Sequence, residues 1–139
     1  MEIKRRNFLT HLGTSALAVS TAIPLLSAKS DPPTNSLKKG EIQHMVIFDL
    51  IHEKGKDAAV KFLNDGRQIL SKIPGVRNFE VLDQVSLKND YTYGFSMFFS
   101  GQMAYDSYSK HPAHQAFVEY RWKKEVKRFL EIDFRVHDV

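Results

Sequence analysis

Tyr108, His111 and His114 fall within one short stretch, Tyr108-Ser109-Lys110-His111-Pro112-Ala113-His114-Gln115-Ala116-Phe117, broken by a proline. An imidazole titrates near neutral pH and can take a proton from a carbon flanked by carbonyls. A phenol beside it can orient that base, or donate a hydrogen bond to the enolate as its charge develops. Tyr108 and His114 lie six positions apart across the helix break, so both can reach one cavity. His44, far upstream in an apolar run, can close that cavity from below. These three are the candidate catalytic residues. Both histidines also have a plain structural alternative: His114 bonding backbone at a helix start, His44 as a satisfied core residue. For His111 the structural role leads, because a residue before proline is pushed out of the helical region and holds the break.

Two other chemistries are weaker. His111 and His114 stand at i,i+3 and imidazole suits zinc or copper, but no carboxylate at a defined spacing completes such a site, so no metal is expected. Tyr91, Tyr93, Phe95 and Phe99 alternate along a strand and can grip an apolar ligand or a tetrapyrrole; aromatics in that pattern more often form core or dimer interface. Phe117, Tyr93 and Phe95 are therefore expected as pocket lining or structural support, and no cofactor is expected. Trp122, with Phe117 and Val126, reads as helix-to-sheet packing.

The elements that would position these groups follow from periodicity. Ile42 to Leu50 is a β-rich run with apolar residues on both parities, a strand covered on both faces. His44 shares its face with Ile42, Val46, Phe48 and Leu50. Ala59, Phe62, Leu63, Gly66, Ile69, Leu70 and Ile73 recur at helical spacing, and Pro74-Gly75 stops that helix. Val76 to Val85 and the alternating run from Tyr91 to Phe99 predict an antiparallel hairpin, the second strand one-sided. Helix resumes from Gln102 to Ser109 and from Ala113 to about Arg128, with Pro112 in the first turn of the second piece. Lys123, Lys124, Lys127 and Arg128 read as a solvated helix end. Leu130, Ile132, Phe134 and Val136 alternate with Glu131, Asp133, Arg135 and His137, a strand with one apolar and one charged face.

This order, β-α-β-β-α-β, is the ferredoxin-like arrangement: an α+β fold with a four-stranded antiparallel sheet and both helices on one face. The other face is also apolar, larger than the ~300–600 Å² patches of ordinary soluble surfaces. Two copies packed sheet to sheet about a two-fold axis bury it, so a homodimer is expected. The hollow holding His44 and Tyr108 is expected where the two subunits face each other.

Composition narrows the function classes. The chain has 139 residues, room for one domain, and no cysteine, which excludes disulfides, thiolate metal sites and cysteine nucleophiles. Of 20 Lys and Arg and 16 Asp and Glu, three and one belong to the N-terminal segment, leaving a net +2. That balance, without a basic stripe, argues against nucleic acid as a partner. Lys4-Arg5-Arg6-Asn7-Phe8-Leu9 is a basic region followed by a moderately apolar run, Leu12 to Leu26, and a polar exit. The run is interrupted by His11, Gly13 and Pro24, so it reads as a signal region and no stable membrane insertion is expected after cleavage. The RRxFL pattern resembles twin-arginine signals, which implies export to the periplasm or beyond. Residues 1–28 are assigned to this leader, with cleavage after Ala28 or, alternatively, Ala22. Residues 29–40 form a flexible linker and 41–139 the domain.

The Y-x-x-H-P-x-H-x-x-F motif at 108–117, with His44 in the first strand and the Ile73-Pro74-Gly75-Val76 turn, resembles the stress-responsive α/β-barrel (Dabb) family over residues 41–139. The resemblance implies a dimeric α+β barrel with a ligand-accessible pocket. Within that family a plant polyketide cyclase, olivetolic acid cyclase, runs an aldol closure with a Tyr and a His of this motif and lines its pocket with a strand-one His. The matching positions are Tyr108, His114 and His44. The resemblance thus implies either lyase- or cyclase-like acid-base chemistry on a small, largely apolar carbonyl compound, or a non-catalytic ligand-binding or structural dimer. Export argues against a cyclase substrate made in the cytoplasm.

Overall fold

The computed structural model describes residues 36–139; the expected leader at 1–28, and the linker before residue 36, lie outside the described residues. The element order is β1 (Ile42–Leu50), α1 (Asp57–Leu70), β2 (Arg77–Asp83), β3 (Tyr93–Phe99), α2 (Gln102–Lys110), α3 (Pro112–Phe117), a π-helical turn (Val118–Trp122), a final helical turn (Lys123–Glu125) and β4 (Val126–Phe134). The strands form one antiparallel sheet in the order β2-β3-β1-β4. This is the ferredoxin-like α+β arrangement that the sequence predicts. Among the described residues, no helix is long and apolar enough to cross a membrane.

The core lies between the sheet and the helices. Along β1 the alternation is regular: Ile42, His44, Val46, Phe48 and Leu50 are buried, and Gln43, Met45, Ile47 and Asp49 are half-buried on the open face. Phe48, Phe62, Phe95 and Phe99 are fully buried. Removing each of these rings from water contributes about 1.5–3 kcal/mol. Gly66 lets α1 sit down on this layer, because a Cβ there would stand 2.7 Å from the Phe95 ring and 3.4 Å from that of Phe117. Gly75, at φ +89°, takes the left-handed turn after Pro74 that ends the α1 segment.

Three details depart from the sequence reading. First, β3 is not one-sided: all seven of its residues are buried. It is a central strand, and its open face carries Gly94 and Ser96, small enough for neighbours to reach over; Gln43 Nε2 donates to Ser96 Oγ at 3.2 Å.

Second, the helix expected to reach Arg128 ends at Glu125, and strand begins at Val126 rather than near Leu130 and ends at Phe134. Arg128 is therefore no helix-end cation. It stands opposite Asp49 in the β1–β4 register, pairs with that carboxylate and lies 3.2 Å from Asp90. An ion pair across strands satisfies the charge as well as solvent would.

Third, the apolar residues of β4, Leu130, Ile132 and Phe134, oppose Ile47, Met45 and Gln43 on the open face. Its charged residues Glu131 and Asp133 oppose Val46 and His44, on the helix-covered face. Leu130 and Phe134 are about half exposed in the single chain, at 48% and 47%.

Candidate functional site

β1, β4 and the broken helix converge on one cavity of about 270 Å³, beneath the helices of a single chain. The hollow expected between two facing sheets thus lies within one subunit. The reason is the register: His44 belongs to the buried parity of β1, which faces α2 and α3 rather than the open side. The polar end of the cavity is made by His44, Tyr108, His114 and Glu131. Phe95, Met97, Phe117, Val118, Trp122 and Phe129 form its apolar wall.

The break at His111-Pro112 builds the roof. His111 leaves the helical region (ψ 134°), and its Nδ1 accepts the Ala113 N–H at 3.1 Å, capping α3 with Pro112 in its first turn. His111 holds the break and does not line the cavity. The kink brings Tyr108 at the end of α2 against His114 in α3, with ring centroids 4.5 Å apart. His114 Nδ1 lies 3.1 Å from the Ser109 carbonyl oxygen. A carbonyl only accepts, so Nδ1 carries the proton and Nε2 is left as the basic nitrogen. Burial holds His114 below the ordinary histidine value, only partly offset by the Ser109 bond, so the ring is kept neutral.

Tyr108 is 2% exposed, yet its hydroxyl has no protein partner among the described residues. Burial, reinforced by the Glu131 carboxylate, pushes its phenol up, so it stays protonated and acts as a donor. His44 donates Nδ1–H to Asp133 Oδ1 at 2.7 Å, and the Tyr105 hydroxyl lies 3.2 Å from the same nitrogen. Tyr105 in turn donates to Glu131 Oε1 at 2.8 Å. Burial and that carboxylate push the Tyr105 phenol up as well. The cavity therefore presents the bare Nε2 of His114, the ring of His44, one carboxylate and one phenolic O–H.

Phe117 and Phe95 line the cavity, whereas Tyr93 does not. Tyr93 is core, its ring 5.9 Å from that of Phe48. Sequence reasoning missed Tyr105, Glu131 and Asp133, and gave Trp122 a packing role alone. Trp122 does pack on Phe48, at 4.9 Å between centroids, but it also walls the cavity from the π turn. Such turns, which insert a residue into the helical repeat, recur at functional sites. The turn is tied down by Arg121, which pairs with Asp65 of α1 and with Glu125, while His52 Nε2 lies 2.8 Å from Glu125. Hydrogen bonds from Lys61 and Arg121 hold the Asp65 carboxyl below its usual range.

Among the described residues, one group combines metal-ligating types at close range: His44, Glu131 and Asp133, whose donor atoms lie within 4.8 Å of one another. In this arrangement the Nδ1–H of His44 is spent on Asp133 and Glu131 accepts from Tyr105. The pair weighed from sequence, His111 with His114, has both Nδ1 atoms engaged with backbone.

A family model, the Stress Responsive A/B Barrel Domain (Dabb), matches residues 42–136. No functionally curated protein matches the chain. The chain is similar to a solved Dabb family protein with a ferredoxin-like fold from Mesorhizobium loti, at 48% identity and TM-score 0.71, covering 72% of this chain and 100% of that one. A dimeric protein of ferredoxin-like fold and unknown function from Bacteroides fragilis shares the fold at 18% identity and TM-score 0.56, covering 70% of this chain and 98% of that one. Hydroxynitrile lyase from Passiflora edulis shares it at 8% identity and TM-score 0.60, covering 73% of this chain and 98% of that one. With the family model spanning β1 through β4 and 48% identity to a solved member over the aligned residues, this chain belongs to the stress-responsive A/B barrel (Dabb) domain family.

Proposed function

We propose that this protein is an exported Dabb-domain homodimer that binds a small, largely apolar carbonyl compound in the cavity of each subunit and moves a proton on it. The observation that carries this reading is a buried phenol and a buried neutral imidazole 4.5 Å apart on a cavity of about 270 Å³, the phenol without a protein partner among the described residues. In this reading His114 Nε2 takes the proton from a carbon next to a carbonyl, and the Tyr108 O–H donates to the oxygen on which charge develops. His44 is the third polar wall and receives the substrate at Nε2. The volume lies just below the ~300–1,000 Å³ of most small-molecule sites, which favours a substrate of about one ring. Lyase chemistry is compatible with the fold, as the Passiflora edulis protein illustrates, though fold alone assigns no reaction.

The open sheet face, with Leu130 and Phe134 half exposed, supports the homodimer, and the dimeric Bacteroides fragilis protein of this fold agrees with it. Arg5 and Arg6 support export by the twin-arginine route; changing both to Lys should retain the protein in the cytoplasm.

Mass spectrometry of what co-purifies with the native protein supplies the compound for the decisive test. Turnover of that compound should fall by roughly 10²–10⁴ in Tyr108→Phe and in His114→Ala. Turnover that survives both changes within about tenfold removes the acid-base assignment. Binding without turnover favours the non-catalytic ligand-binding reading.

A further inference from the structure

We propose that Glu131 sets the ligand class of the cavity: an uncharged, one-ring molecule that donates a hydrogen bond at the polar end, with carboxylates turned away. The inference rests on the cavity being a ligand site, as proposed above, and it concerns which molecules enter rather than what happens to them. Glu131 stands directly opposite Val46 across β4 and β1, on the parity that faces the helices, and lines the cavity itself. It has no ion-pair partner among the described residues, and its one hydrogen bond comes from Tyr105. No lysine or arginine lines the cavity. Asp133, two residues on along the same face, is occupied by His44 and does not line the cavity.

The hydrogen-bonding inventory points the same way. His114 has Nδ1–H engaged and Nε2 left as an acceptor, His44 gives its Nδ1–H to Asp133, and Glu131 accepts as well. Tyr108 supplies the hydroxyl donor in that polar end. An incoming carboxylate would meet the like charge of Glu131 at the polar end and apolar walls behind it, with the Tyr108 hydroxyl as a donor. A hydroxyl finds acceptors at His114 Nε2 and Glu131 and can itself accept from Tyr108. Carboxylate repulsion near the protein surface acts at an effective dielectric well below that of water, which is enough for about tenfold discrimination or more.

The test compares benzyl alcohol with benzoate, which share a ring and size, by following Tyr108 and His114 side-chain resonances of the mature protein at pH 7.5 and low salt. Benzyl alcohol should bind in the millimolar range or better, and benzoate at least about tenfold more weakly. Glu131→Gln keeps the shape and an acceptor oxygen but removes the charge, and should bring benzoate to within about threefold of the alcohol; Glu131→Lys should reverse the preference. Benzoate binding as well as the alcohol to the unaltered protein, a ratio that Glu131→Gln leaves unmoved, or no binding of the alcohol would each overturn the proposal. Charge selection without any catalysis leaves this inference standing and removes the acid-base reading. Turnover of an anionic substrate that depends on His114 does the reverse.

Discussion

Asp133 accepts the Nδ1–H of His44 at 2.7 Å, from the position directly opposite it in the β1–β4 register. The imidazole side chain is 8% exposed and the carboxylate 39%, so the pair joins the buried cavity to water. The bond fixes the tautomer and turns Nε2 into the free nitrogen. In ¹⁵N spectra of the neutral ring, His44 should show a protonated Nδ1 and a bare Nε2. In Asp133→Asn the two tautomers should mix. A ring already mixed in the unaltered protein would contradict this assignment.

His114 gives the fold a defined acid sensitivity. Burial holds its folded-state value below the ordinary 6.5, so the unfolded chain binds the proton more readily. Stability from this group is therefore complete above about pH 6.5 and is lost as pH falls from there through the folded-state value. Urea midpoints measured from pH 7.5 down to 5 should decline, and His114→Gln should flatten that decline. A midpoint that rises on acidification in this window would contradict the burial assigned to the ring.

Gly66→Ala should destabilise the domain. Alanine is the better helix former by about 1 kcal/mol, but its Cβ would stand 2.7 Å from Phe95. Overpacking of that kind costs about 1–3 kcal/mol, which outweighs the propensity gain where the ring cannot move. The Tm should fall by several degrees, and the cavity wall at Phe95 and Phe117 should shift with it. An unchanged or higher Tm would show that the layer is looser than described.

Leu130→Glu should separate the subunits. Leu130 lies on the open face of β4, opposite Ile47, and is about half exposed in one chain. A carboxylate buried without a partner in a sheet-to-sheet interface is costly. Sedimentation should give a dimer for the unaltered domain and a monomer for the variant. A monomer before any substitution would remove the homodimer.

The strand and helix order was legible because each element buries one face in a simple period; β1 and α1 follow their periods closely. The motif at 108–117 and His44 were legible because residue type and spacing alone name them. The rest of the site was not. Glu131 and Asp133 read only as the charged face of an alternating strand, and the alternation does not say which side of the sheet that face meets. The open apolar face of the sheet claims Leu130, Ile132 and Phe134 instead, and that turns the charges toward the helices. A second face competing for the apolar residues therefore decides which way the charges turn, and on this edge strand both stay exposed. The π turn at Val118–Trp122 escaped for a related reason. A one-residue expansion leaves helical composition intact and changes only which residues meet the cavity. Lys127 and Arg128 look like a helix end until Asp49 and Asp90 are in place across the sheet.

The pairing of Tyr108 with His114 on an accessible cavity is tested most directly by deuterium uptake from D₂O at the carbon beside the carbonyl of phenylacetone, an uncharged one-ring ketone. The mature protein should accelerate uptake over buffer, and His114→Ala should remove roughly 10² or more of that acceleration, with Tyr108→Phe close behind. Exchange no faster than buffer, or equally fast in all three proteins, would contradict proton transfer at this site.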